Sequence, residues 1–365
     1  MAFFPLLVVT LILAVTSAVN SGSPSERAAL LAFRAALTDP YLGIFNSWNG
    51  SDCCLNWYGV HCDPTTGRIT DINLRGESQD PIFLKAGRSG YLKGTISPEI
   101  CSIDSLTSLV IADWKGISGE IPSCITSLSS LRILDLIGNS LTGEIPADIG
   151  KLQSLAILNL AYNAISGKIP ASIVTLTGLR HLDLRNNQLS GELPSDFGNL
   201  RMLSRALLGQ NQLTGPIPTS ICNLKLLADL DLSMNRISGS IPDQLGKMRV
   251  LSTLTLDSNS LSGQIPSSLL SNRDMGILNL SRNSLEGSIP NTFGSKSYFM
   301  VLDLSYNKLS GLIPVSLSSS KFVGHLDLSN NHLCGTIPIG SPFDHLDAPS
   351  FSNNDCLCGN PLRTC

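Results

Sequence analysis

A nucleophile, a general base or a metal cage needs histidines, cysteines or carboxylates at particular spacings, and this chain offers few. Its five histidines, His61, His181, His325, His332 and His345, stand apart from one another in no ligand spacing. No G-x-S-x-G, H-E-x-x-H, G-x-x-x-x-G-K or G-x-G-x-x-G stretch occurs. No enzyme activity, cofactor or metal is therefore expected. The chemistry that remains is recognition. His181, Arg185 and Arg205 form a basic group, with Arg180 beside them and Asp183 among them, and Asp229, Asp231 and Asp257 follow as an acidic one. Neighbouring groups of opposite sign can orient a protein or an acidic glycan. A merely solvated surface is the alternative.

A repeat places these residues. Nine asparagines, from Asn139 to Asn331, recur every 24 residues, each followed four residues on by a glycine and then by an Ile-Pro or Leu-Pro pair. The unit is LxxLxLxxNxLxGxIP. Leucines alternating with polar residues have the period of a short strand with one buried face. Stacked turns then make a parallel sheet, because one repeat cannot bury its leucines alone. The asparagine amide, donor and acceptor at once, can satisfy main-chain groups of its own and the adjacent turn. Glycine permits unusual backbone angles and proline ends local pairing. Convex stretches such as ADIGKLQSL are expected to form single helical or 3₁₀ turns. The column from Asp135 through Asp183 and Asp231 to Asp327 is read as the exposed centre of the concave face. Aspartates hydrogen-bonded within the sheet are the alternative to ligand contact there.

The rule breaks near its start. Residues 106–130 are a variant turn, LVIADWKGISGEIPSC, in which Trp114 and Lys115 replace the asparagine, and Trp114 either packs against its irregular neighbour or stands exposed for binding. The first turn carries an insertion, loop 76–91, either functional or tolerated on the surface. Residues 1–18 read as a signal peptide with cleavage after Ala18. The rival reading is an anchor, but the apolar run is shorter than the ~20 residues a spanning helix needs. A net charge of -3, with 25 basic among 28 acidic residues, argues against nucleic acid as a partner. The ten cysteines gather towards the two ends, as in secreted chains. Cys101 and Cys124 are 23 residues apart, so they can face each other across adjacent turns, in a bond worth about 3 kcal/mol. Cys222 has no partner one turn away and reads as a buried, inert thiol.

The LxGxIP repeats, the helix-like SERAALLAFRAAL, the CC, W, GV, C arrangement of FNSWNGSDCCLNWYGVHCD and the ending SFSNNDCLCGNPLRTC together resemble plant extracellular leucine-rich-repeat proteins over essentially the whole mature chain. The polygalacturonase-inhibiting proteins share the caps and about ten turns. The DNA-damage-repair/toleration type is nearer still, through the irregular stretches RGESQDPIFLKAGRSGYLKG, LVIADWKGISGEIPSCITSL and SPFDHLDAPSF. The resemblance implies an α/β solenoid with 24-residue turns, a parallel β-sheet on the concave face and disulfide-stapled caps. It also implies disulfides Cys54–Cys62, Cys334–Cys356 and Cys358–Cys365. The family's cap cysteine before the AALLAF helix is missing, so Cys53 is a free thiol, competes with Cys54 for Cys62, or pairs between chains.

The expected organisation is a signal at 1–18, an N-terminal cap at 19–67, about eleven turns over 68–340 and a C-terminal cap at 341–365. Sequons at Asn49 and Asn279 are candidate glycosylation sites, and a glycan on Asn279 would confine a large partner to the N-terminal two-thirds of the concave face. The expected protein is a secreted or cell-wall monomer without a membrane span. It binds an extracellular protein or a cell-wall glycan. Inhibition of a microbial polygalacturonase and a DNA-damage role are the rival functions.

Overall fold

The structure is a computed structural model that describes residues 23–76, 81–87, 90–340 and 342–365. The expected signal peptide and part of loop 76–91 lie outside the described residues. Twelve strands form one sheet. The first, Val60–Cys62, runs antiparallel to Ile69–Arg75. Every later pairing is parallel and, from Ile133–Asp135 on, offset by one 24-residue repeat, so Ile157, His181, Arg205 and Asp229 stand side by side on one row. The alternate leucines, among them Leu158, Leu182 and Leu230, turn inward and are fully buried. Short 3₁₀ segments such as Ala171–Thr175, Thr219–Asn223 and Asp243–Lys247 follow the prolines on the opposite, convex wall.

A second line of strands has no counterpart in the sequence reading. It comprises a four-stranded sheet from Leu37–Thr38 to Ser140–Thr142 and an eight-stranded sheet from Ser190–Glu192 to Cys356–Cys358, bridged at Glu144–Ser166 and Lys168–Ser190. The stretch between asparagine and proline is itself extended, and the Ser166 and Ser190 amides donate to the Gly143 and Gly167 carbonyls at 2.8 and 2.7 Å. Glycine is needed here. Gly215 has φ +74°, and a Cβ at that position would lie 2.6 Å from Glu192 Cγ of the preceding turn.

The asparagines tie the turns together. Asn211 is 9% exposed; its Nδ2 donates to Leu184 O of the preceding turn at 2.9 Å and to Leu208 O and Gly209 O at 3.2 Å, while Oδ1 accepts from Leu189 N at 3.0 Å. The same pattern recurs at Asn163, Asn187, Asn235 and Asn259. In the variant turn Trp114 is fully buried, and its Nε1 donates to Leu74 O at 2.9 Å. Leu74 closes the preceding strand as Leu184 does for Asn211, so the indole takes over the donor role of the amide. Of the two sequence readings for Trp114, the packed one holds. Described residues of the insertion lie against the ring. Phe83 lies 6.1 Å away by ring centroids, and a Cβ on Gly90 would come within 2.3 Å of the indole.

Both ends are plugged. The helix Pro24–Ala35 opens with Ser23 as N-cap in a capping box with Glu26. Glu26 is 1% exposed and satisfied by Arg68 Nε at 2.9 Å and Ser105 Oγ at 2.8 Å, which fixes the cap on the start of the strand Ile69–Arg75. Trp48 stacks on Trp57 at 5.2 Å beneath the helix. At the far end Asn354 adds a final rung, donating to Leu328 O at 3.1 Å. Disulfides join Cys54 to Cys62, Cys101 to Cys124, Cys334 to Cys356 and Cys358 to Cys365. Cys53 is fully buried and unbonded. Cys222 is also unbonded, but it is half-buried where the sequence suggested full burial.

Candidate functional site

The concave face presents parallel rows of side chains, one per turn. His181 sits between Ile157 and Arg205, and burial, followed by the charges of Arg205 and Arg185, holds its pKa below the ordinary histidine range. The imidazole is therefore neutral near pH 7 and adds no charge to the basic group.

The arginines are engaged within the molecule. Arg185 grips Asp183 with two bonds, Nε to Oδ1 at 3.0 Å and Nη2 to Oδ2 at 2.8 Å. Arg205 Nη2 reaches Asp229 Oδ2, one turn on, at 3.2 Å. The sequence reading set a basic group beside an acidic one. The structure interleaves them, because residues i and i+2 of a strand share a face and parallel pairing puts equivalent positions of successive turns in contact. The result is a seam of paired charges.

In the aspartate column the side chains hydrogen-bond within the sheet, the alternative to ligand contact. Asp183 is 3% exposed and Leu207 is 3% exposed, so neither projects from the face. Asp183, Asp231, Asp303 and Asp327 each accept the backbone N–H two residues ahead, capping the end of the strand. Asp231 also takes Ser233 Oγ at 2.6 Å, in space left by Gly209, where a Cβ would lie 2.8 Å from the carboxylate. Asp257 is different. Burial and the charges of Asp231 and Asp303 raise its pKa, and Ser258 Oγ donates to it at 3.2 Å.

A second row escaped the sequence reading. The residue before each ladder asparagine has a left-handed backbone and carries its side chain outward. Tyr162, Met234 and Tyr306 are 49%, 53% and 44% exposed at this position, and Arg282 stacks over Tyr306 at 4.1 Å. Reading position N−1 down the repeat would have found them. Of the sequon asparagines, Asn49 is exposed, whereas the Asn279 side-chain oxygen accepts from Ser281 N and Oγ at 3.1 and 2.7 Å. No three His, Cys, Asp or Glu side chains gather as a metal site among the described residues, and no described helix is long and apolar enough to cross a membrane.

A stacked parallel sheet, an asparagine ladder and a plugged N-terminal end define the class, and comparison with known families agrees. Residues 23–63 match the leucine rich repeat N-terminal domain, 94–205 a leucine-rich repeat region, and 226–248, 273–333 and 323–346 leucine rich repeats. The chain belongs to the plant leucine-rich-repeat proteins. Over 139 residues it is 62% identical to the DNA damage-repair/toleration protein of Arabidopsis thaliana, a match covering 38% of this chain and 37% of that one. Over 114 residues it is 32% identical to a polygalacturonase inhibitor of Vitis vinifera, covering 31% and 30%. These matches span 37% and 30% of the relatives' own length. Among solved structures, the ectodomain of the receptor kinase GASSHO1/SCHENGEN3 from Arabidopsis thaliana, in complex with CASPARIAN STRIP INTEGRITY FACTOR 2, superposes with a TM-score of 0.76 and 32% identity over 91% of this chain and 38% of that one.

Proposed function

We propose that this is a secreted or cell-wall recognition protein, non-enzymatic and monomeric, which binds an extracellular protein or peptide across the concave face between Tyr162 and Asp257. The observation that carries this reading is the pairing of a charge-neutral seam, Arg185–Asp183 and Arg205–Asp229, with the outward Tyr162 and Met234 beside it. Aromatic side chains and arginine are the residues that most often anchor protein interfaces. Cations already neutralised within the chain favour a protein over an acidic glycan. The complex formed by the receptor ectodomain of similar fold adds support. A glycan on Asn279, one strand beyond Thr255, would border this region on its C-terminal side.

The test is affinity capture from plant wall extract by the secreted protein and by a Tyr162→Ala, Arg205→Glu variant. Both side chains are largely solvent-facing, so thermal stability should move by less than about 2 °C. Capture of the specific partner should fall at least tenfold. Equal capture by both proteins overturns the site. A polygalacturonase is one partner to try, given the similarity to the Vitis inhibitor, and an inhibition assay with purified enzyme decides that case.

A further inference from the structure

A different region of the solenoid holds a cavity. Between the 3₁₀ segments Thr219–Asn223 and Asp243–Lys247, away from the concave face, a half-open cavity of about 470 Å³ lies in the wall. Its volume is within the range of sites that take small organic ligands, and such sites pair an apolar lining with a few convergent polar groups. Here the apolar lining is Leu224, Leu227 and Met248, all buried, and Val250, 46% exposed, with Cys222 also among the lining residues. Burial raises the pKa of that thiol, so it stands neutral and opposes no anion.

The rim is cationic. Lys225 and Arg249 are exposed, line the cavity and form no ion pair among the described residues, whereas Lys247 is held by Asp243 at 2.5 Å. The repeat explains the concentration of charge: Arg201, Lys225, Arg249 and Arg273 follow one another at 24-residue spacing, so four like charges share one column. Asp274, beside Arg273, is the acid closest in sequence to that column. A neighbouring depression of about 370 Å³ across Lys225 is lined by Gly198, Asn199, Arg201 and Asn223 and has no apolar floor. The larger cavity is therefore the place where apolar surface and unpaired cations meet.

We propose that this cavity binds a small organic carboxylate with an apolar body, the hydrocarbon against Val250 and Met248 and the carboxylate on Lys225 and Arg249. A guanidinium and an ammonium together suit a carboxylate as a charge-assisted, partly bidentate pair.

Cys222 supplies the readout. Of the two unbonded cysteines it is the one with solvent access, since Cys53 is fully buried. The probe is 4-phenylbutyrate, and the measurement is the rate at which N-ethylmaleimide alkylates Cys222 in the intact protein, followed by peptide mass spectrometry. Saturating 4-phenylbutyrate should slow alkylation at least tenfold, while 4-phenyl-1-butanol and acetate should change it less than twofold. Lys225→Ala with Arg249→Ala should raise the half-protecting concentration at least tenfold at unchanged melting temperature. Equal protection by the alcohol, or unchanged protection in the double variant, would remove the carboxylate from the proposal. No protection by phenylbutyrate, or protection by a polyuronate alone, would overturn it.

Discussion

The turn at Asn211 and the turn at Trp114 solve one problem with different chemistry. Each must place a donor on the carbonyl that ends the preceding strand and fill the corner where the chain reverses. Asn211 does both with a compact amide that also satisfies two carbonyls of its own turn and an amide of its neighbour. Trp114 reaches Leu74 O with its indole, but its ring is too large for a regular turn. Space comes from Gly76 and Gly90, which lie against the indole. The fold therefore requires a buried donor at this position. Asparagine is the choice that lets a turn stay 24 residues long and be repeated.

Removing the donor from the regular stack should have the largest effect. Asn211→Leu leaves the buried Leu189 amide without a partner and strips one donor each from Leu184 O, Leu208 O and Gly209 O, which keep Asn187 Nδ2, Asn235 Nδ2 and Asn186 N, and should cost roughly 3 kcal/mol in chemical denaturation. A loss below ~1 kcal/mol would mean the leucines alone hold the stack. Trp114→Phe keeps most of the ring and deletes its N–H, and should cost about 1–3 kcal/mol. If it proves neutral, the parallel between indole and amide fails. Gly90→Ala drives a methyl into the indole and should cost ~1 kcal/mol, with limited proteolysis cutting faster between residues 76 and 91; an unchanged cleavage rate would show that the loop does not depend on the ring.

The smallest effect contrasts the regular stack with this junction in its charge, since a repeat sets like charges beside one another. Asp257 has its pKa raised from an ordinary 3.8, by burial first and by Asp231 and Asp303 after it. Folding therefore favours the protonated form, and the ionised form costs stability throughout the range above the folded pKa. Asp257→Asn should raise the melting temperature by about 1 °C at pH 7, and the gain should vanish as the pH falls below 3.8. A gain that persists at pH 3 would point to packing instead. His181 has the opposite sign. Its pKa is lowered, so its contribution is present above about 6.5 and is lost as the pH falls through the folded value.

Much of the fold was legible because the repeat states one pattern many times. The leucines, the asparagine ladder and the 3₁₀ segments all follow from position within the 24 residues. The second line of strands was less visible, since S-L-T-G offers too few alternating residues to register as a strand beside the stronger LxL signal. Trp114 could be recognised as a break but not as a substitute. That required knowing which carbonyl its nitrogen meets, a matter of rotamer and of the loop around it. The candidate site was legible in composition and not in state. His181, Arg185, Arg205 and the aspartates do line one region, but the pairing of Arg185 with Asp183 and of Arg205 with Asp229 is a choice among side-chain conformations. Tyr162 and Met234 were overlooked because their outward direction comes from a left-handed backbone, which the amino-acid type does not announce.

The strictly in-register parallel pairing turns the concave face into a vernier. Side chains on one row lie about 4.8 Å apart, the spacing of neighbouring strands, whereas an extended peptide crossing them presents same-side groups roughly every 6.7 Å. The two scales fall back into step only after about 34 Å, some seven turns. A peptide laid along the sheet can thus engage a few well-separated positions and must miss those between. Its affinity would rest on isolated departures from the consensus, such as Tyr162, Arg205 and Met234, and the repeats between them would set the distance at which those points are read.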